Sequence, residues 1–231
     1  MADFHFVEDY EAHVRQLMAT HPLREAMDLA VGGAWEAIQQ VELAILRHFG
    51  LRDGMRLVDL GCGSGRLAQA LGRSELRIEY LGLDVVQALL DYARTITPRH
   101  YRFLLNRALT LPLANTSIDM LCAFSVFTHL FPEETYLYLQ DARRALRPHG
   151  KVVLSFLEFR EPSHWTLFES TAETRRRSTR SPLTMFLARE AINTFAQRLG
   201  YEEASFVGGR EAPWGGAALG QSVALLRRGE R

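Results

Sequence analysis

Leu57-Val58-Asp59-Leu60-Gly61-Cys62-Gly63-Ser64-Gly65-Arg66 is the stretch from which the fold is read. Its first half is a short, mostly apolar run, Met55–Leu60, of the kind that forms a buried strand. Its second half places glycines at alternate positions, where a helix reading Ser64–Gly72 begins. Glycine tolerates the left-handed backbone of a tight turn and lets a ligand approach without a Cβ in the way. The helix start behind the loop offers unpaired N–H groups and a partial positive charge, which suit a carboxylate or a phosphate. The spacing is G-x-G-x-G, with Asp59 two residues ahead of the first glycine. A dinucleotide loop reads G-x-G-x-x-G instead. A carboxylate at Asp59 would repel a pyrophosphate, but it can accept from a ligand ammonium.

Working outward, strand-like and helix-like runs alternate. Ile78–Leu83 predicts a second strand and Val86–Ile96 a helix that stops before Pro98. Tyr101–Leu105 and Ile118–Phe124 predict strands, Pro132–Leu146 a helix with proline in its first turn, and Val152–Leu157 another strand. Such alternation predicts a doubly wound, mostly parallel α/β sheet whose ligand crevice lies at the carboxyl ends of the strands. Residues 7 to 49 read as helices. Trp35, Ile38, Val41, Ile45 and Phe49 form one apolar stripe there, with Glu36, Gln40 and Arg47 outside it. Residues 160–184 read as polar and irregular, a cap inserted in the domain. Leu187–Leu199 predicts a helix, and Ala204–Val207 and Ser222–Leu226 two last strands that pair antiparallel. The organisation expected is a helical extension or lid over 1–50 and a cofactor-binding domain over 51–231.

Asp84 ends the second predicted strand in Leu81-Gly82-Leu83-Asp84. Its carboxylate can accept both hydroxyls of a ribose, or it can cap the helix that follows. Arg66 either meets a ligand carboxylate or is a solvated helix residue.

Bulk properties narrow the function. The chain has 231 residues, with 27 Lys+Arg balanced by 27 Asp+Glu, so the positive footprint of a nucleic-acid binder is absent. Lys151 is the sole lysine. Two cysteines, Cys62 and Cys122, make no disulfide framework and point to a reducing compartment. Met1-Ala2-Asp3-Phe4-His5 has no leader character and no apolar run is long enough to span a bilayer, so a cytoplasmic protein is expected. The eight histidines show no metal-ligand spacing with one another or with the cysteines, and no metal is expected.

The combination resembles the class I S-adenosylmethionine-dependent methyltransferases. Its pieces are Val58–Gly65, Gly82-Leu83-Asp84, Leu111-Pro112-Leu113 with Ser117-Ile118-Asp119, Ser125-Val126-Phe127-Thr128-His129-Leu130, and Ala145-Leu146-Arg147-Pro148-His149-Gly150. The Ser125–Leu130 piece and the ending Gly220-Gln221-Ser222-Val223 look like a bacterial subgroup acting on small molecules or glycans. The resemblance implies seven strands in the order 3-2-1-4-5-7-6 with the seventh antiparallel. It also implies that Gly61, Cys62, Gly63 and Gly65 hold the methionine end of S-adenosylmethionine and that Asp84, with Val85 beside it, holds the ribose. Arg107 and Ala108 would flank the adenine, and Ser125 would lie near the sulfonium. The family often has an acid where Arg107 stands, and an arginine cannot accept the adenine amino hydrogen. Asn106 or the Ala108 backbone would have to read the base, or cofactor binding is weakened.

A hydroxyl acceptor would want a base, and His129, just past the fourth predicted strand, is the candidate; its other reading is a structural histidine bonding a loop carbonyl. Tyr10, Trp35, Trp165, Phe168 and Trp214 are candidate acceptor contacts or packing residues. Arginines at 175–180 suit an anionic substrate group or a solvated loop. The expected activity is methyl transfer to a small molecule or glycan at oxygen. The alternatives are a nucleic-acid methyltransferase, a non-catalytic partner protein and, less compatible with the glycine spacing, a nicotinamide-dependent enzyme.

Overall fold

The structure, a computed structural model, describes residues 7–177 and 184–230. Three helices come first, α1 (Val7–Thr20), α2 (Leu23–Ala30) and α3 (Trp35–His48). The alternating part runs β1 (Arg56–Leu60), α4 (Arg66–Arg73), β2 (Glu79–Asp84), α5 (Gln87–Ile96), β3 (Arg102–Leu105), β4 (Ile118–Ala123), α6 (Pro132–Ala145) and β5 (Leu146–Phe156). It ends with α7 (Pro162–Arg177), α8 (Arg189–Leu199), β6 (Tyr201–Val207) and β7 (Ser222–Arg228).

The seven strands form one sheet in the order β3-β2-β1-β4-β5-β7-β6. Pairs from β3 through β5 are parallel, whereas β7 lies antiparallel to both β5 and β6. Both faces of the central strands are covered, so their residues are apolar almost continuously rather than alternately. Val58, Leu83, Leu121 and Leu154 point to α6 and α8, and Leu57, Met120 and Val153 point to α3, α4 and α5. The chain leaves β1 for β2 on one side and returns to β4 on the other. That reversal opens a crevice at the carboxyl ends of β1 and β4. A smaller cluster, Val14 of α1 and Met27 of α2 on Val86 and Leu89, seats the N-terminal helices beside this crevice.

Two expectations change. Residues 160–184 were expected to be irregular, and Pro162–Arg177 is a helix instead. Only His164 is buried in it, so it lacks the apolar periodicity that marks a packed helix. Proline in the first turn and pairs from Glu173 to Arg176 and Arg177 support the helix locally. Of the arginine-rich run, residues 175–177 end α7, and 178–180 lie outside the described residues, as does His5. Strand β5 begins at Leu146, earlier than the apolar run at 152. Leu146 pairs with Ile118, and pairing resumes at Lys151 with Met120 after a bulge. Among the described residues no helix is long and apolar enough to cross a membrane.

Candidate functional site

The glycine loop turns left-handed at all three glycines, with φ of 72° at Gly61, 54° at Gly63 and 88° at Gly65. A Cβ would stand 2.3 Å from Val126 at Gly61, 2.6 Å from Val31 at Gly63 and 2.8 Å from Ala93 at Gly65. Glycine is therefore required twice over, by conformation and by space. The N–H groups of Gly61 and Cys62 both donate to the Leu83 carbonyl, at 2.7 and 3.0 Å. This fixes the loop to the end of β2, where Asp84 sits.

Asp84 is buried, and each of its oxygens accepts a main-chain N–H, Gly63 at 2.8 Å and Val86 at 2.9 Å. It thus fixes the turn that leads into α5 and braces the glycine loop at once. A carboxylate offers about four lone-pair sites, so hydroxyl donors can still be accommodated. Burial pushes its pKa up, opposed by those two N–H donors. Asp59 lies deeper, accepting from the Tyr80 hydroxyl at 2.6 Å and the Cys122 thiol at 3.5 Å. Burial raises its pKa to about 7, against the Tyr80 hydrogen bond. A cation reaching this region meets two acids that burial has made costly to ionise unpaired. Glycine turns that a Cβ would block, buried carboxylates and a helix start fit the ammonium, carboxylate and ribose of S-adenosylmethionine.

Arg66 is not the solvated helix residue that one sequence reading offered. Its side chain is only 11% exposed, so it is not solvated. It donates to both oxygens of Glu42, at 2.6 and 3.4 Å, and to the carbonyls of Val31 and Gly33, at 2.9 and 3.3 Å. Ser64 donates to the Met27 carbonyl at 2.9 Å. Together these hold the α2–α3 turn against the glycine loop. Glu42 was not singled out in the sequence. The signal was there, since an acid four residues after Ile38 and three before Ile45 lies on the apolar stripe.

At the other end of the crevice Arg107 is also turned to a protein partner. Its Nε donates to the Val85 carbonyl at 3.0 Å, and its guanidinium pairs with Glu11 of α1. The Asn106 amide is spent on the carbonyls of Ala108 and Thr110, and the Tyr138 hydroxyl holds the Ala108 carbonyl at 2.9 Å. Tyr10 donates to the Ala30 carbonyl at 2.7 Å. Burial raises its pKa, with the Asp84 charge adding to the effect.

On the β4 side, Ser125 adopts a left-handed φ of 60°, unusual for a residue with a Cβ. Three bonds hold it there. Its N–H donates to Ser155 Oγ at 2.7 Å, its hydroxyl accepts from Gln221 at 3.0 Å, and Thr128 donates to its carbonyl at 2.9 Å. Ser155 closes the ring by donating to Gln221 at 2.7 Å. Gln221 is the residue that sequence reasoning noted only as a motif fragment. His129 is exposed on the turn after Ser125, its N–H donating to the Val126 carbonyl at 2.9 Å. The structure thus gathers Asp59, Gly61, Cys62, Gly63, Gly65, Asp84 and Val85 in one half of the crevice and Ser125 and His129 at its other wall.

Residues 58–154 match the family model described as a methyltransferase domain. Malonyl-[acyl-carrier protein] O-methyltransferase of Methylococcus capsulatus is 30% identical over 115 residues, 49% of this chain and 41% of that protein. The chain spans about half, or less, of the length of the curated relatives it matches. Among solved structures, an S-adenosylmethionine-dependent methyltransferase of Thermotoga maritima, a possible histamine N-methyltransferase, superimposes with a TM-score of 0.66 over 98% of this chain and 100% of that one, at 19% identity. The magnesium protoporphyrin IX methyltransferase of Synechocystis, with bound S-adenosylhomocysteine, gives 0.63 over 96% of both chains at 14% identity. These two likenesses show the fold. The methyltransferase domain model is matched across the glycine loop, Asp84 and the end of β4, so residues 58–154 form a methyltransferase domain.

Proposed function

We propose that the protein methylates an oxygen of a small molecule or glycan. The carrying observation is the joint placement of a braced glycine loop with Asp84 on one wall of the crevice and the Ser125–His129 turn on the other. S-adenosylmethionine supplies an activated methyl on a sulfonium, so the protein's contribution is alignment, exclusion of water and handling of the acceptor proton. In this reading Gly61, Cys62, Gly63 and Gly65 let the methionine end pass close to the loop backbone, its carboxylate at the start of α4, and Asp59 faces the ammonium. Asp84 and Val85 receive the ribose. Arg107 and Ala108 line the adenine through their backbone, since the Arg107 side chain is committed to Glu11. Arg66 acts at one remove, by fixing Val31 and Gly33. Ser125 shapes the floor under the reacting methyl, and His129 takes the acceptor proton. The helices of residues 1–50 form a lid on the domain of residues 51–231, latched by Glu11–Arg107 and by Arg66 on the α2–α3 turn. The malonyl-[acyl-carrier protein] O-methyltransferase named above is in keeping with oxygen as the atom methylated.

Asp84→Ala tests the cofactor half. Losing charge-assisted bonds of roughly 1.5–3 kcal/mol weakens S-adenosylhomocysteine binding by roughly one to two decades in a calorimetric titration. The fold survives with a modest loss of stability, because two main-chain N–H groups lose their acceptor. Unchanged affinity in a destabilised protein would reduce Asp84 to a loop brace.

A further inference from the structure

Four aromatic rings stand on the carboxyl edge of the sheet next to His129. Phe159 follows β5, Trp165 and Phe168 lie on α7, and Phe186 lies between α7 and α8. Phe159 stacks on Phe186 with centroids 5.4 Å apart and planes 24° from parallel. Phe168 meets both edge-on, at 5.3 and 5.4 Å, and Trp165 lies against Phe168 at 5.2 Å. Main-chain bonds fix where the group sits. The N–H of Met185 donates to the Thr128 carbonyl at 2.8 Å, one residue before His129, and Phe186 bridges to Leu157 at the end of β5.

These rings are not core. Phe159 remains 43% exposed and Trp165 45% exposed, and the one buried residue of α7 is His164. That histidine bonds the helix to the end of β5 and to Gly220. Its Nδ1 accepts the Glu158 N–H at 3.0 Å and its Nε2 meets the Gly220 carbonyl at 2.9 Å. Exposed apolar surface grouped at a functional edge marks a binding site.

The polar groups around the rings say what kind of molecule it takes. Glu158 is bonded by Arg189 at 2.7 and 2.9 Å and by Ser222 at 2.5 Å, and Glu161 by Arg210 at 2.7 Å. A sugar ring entering here would lose water from hydroxyls that the four ring faces cannot pair, whereas a flat apolar molecule would lose little. Resting on the methyltransferase reading above, we infer that Phe159, Trp165, Phe168 and Phe186 form the acceptor platform and that the acceptor is a hydroxyarene rather than a glycan. Its ring lies on the aromatic faces and its hydroxyl reaches toward His129.

The test uses 2-naphthol as the arene and methyl α-glucoside as the sugar, each titrated calorimetrically into the protein with and without saturating S-adenosylhomocysteine. Wild-type protein binds 2-naphthol saturably and gives no binding heat with the glucoside. Phe186→Ala and Trp165→Gln each weaken 2-naphthol about fivefold or more, as loss of an aromatic pair implies. Both leave S-adenosylhomocysteine affinity unchanged. Absence of saturable naphthol binding, naphthol affinity unmoved in both variants, or ring-dependent glucoside binding would overturn the platform. Failure of wild-type protein to bind S-adenosylhomocysteine would strike the methyltransferase reading instead, and the naphthol titration without it would still decide the platform.

Discussion

Replacing His129 with alanine is expected to lower kcat by roughly 10²–10⁴, the usual range for a general base. The sulfonium is already a good leaving group, so a hydroxyl acceptor's difficulty lies in its proton. His129 stands on the turn after β4, two residues past Phe127 in the core and four past Ser125, exposed where an acceptor oxygen would arrive. S-adenosylhomocysteine affinity should change little in the variant, because the proposed role of the imidazole is on the acceptor side. The pH profile of kcat should also lose the acidic limb produced by protonating the base. Near-normal kcat, or cofactor affinity that falls in step with activity, would make His129 a structural residue of the turn.

Glu158→Ala is expected to destabilise the fold by about 3–5 kcal/mol, the usual result of removing one partner from a buried ion pair. Glu158 is 1% exposed and receives both Arg189 and Ser222. Burial alone would raise its pKa, yet the bonds from Arg189 and Ser222 outweigh burial and hold it below the ordinary carboxylate range. Its main-chain N–H also anchors His164, so the residue joins the end of β5 to α7, α8 and β7. In the variant the Arg189 guanidinium, with a side chain 22% exposed, keeps its charge and loses its acceptor. Thermal unfolding should fall by roughly 6–20 °C for a chain of this size. A shift of a degree or two would mean that Arg189 rehydrates freely and that the network adds little.

The sheet was legible because its strands are buried on both faces and glycine or proline marks their ends. Each predicted strand appears within a few residues of its place, and the resemblance supplied the strand order. The glycine spacing located the loop, since positive φ at alternate positions leaves few other residues able to serve. Side-chain commitments were not legible. Arg66 and Glu42 are distant in sequence and meet only because α3 packs on α4; the stripe marks Glu42 as a buried acid but does not name its partner. Arg107 was a departure from the family pattern when read along the chain. In three dimensions it has a partner, Glu11, on a helix outside the matched domain. Helix α7 escaped because an exposed helix carries its signal in propensity and side-chain pairing rather than in periodicity. Gln221 could be noticed as part of a motif, but its hold on Ser125 depends on β7 lying antiparallel beside β5.

The central claim is that the crevice between the glycine loop and Ser125 is built for S-adenosylmethionine. Thermal unfolding with S-adenosylhomocysteine, NAD and ATP as parallel additions tests it most directly. At a hundredfold excess over Kd, a ligand bound only by the native state adds about 2.7 kcal/mol, or roughly 5–10 °C for a chain of this length. The account predicts that shift with S-adenosylhomocysteine and none with NAD or ATP. An equal shift with NAD, or none with S-adenosylhomocysteine at millimolar concentration, would contradict it.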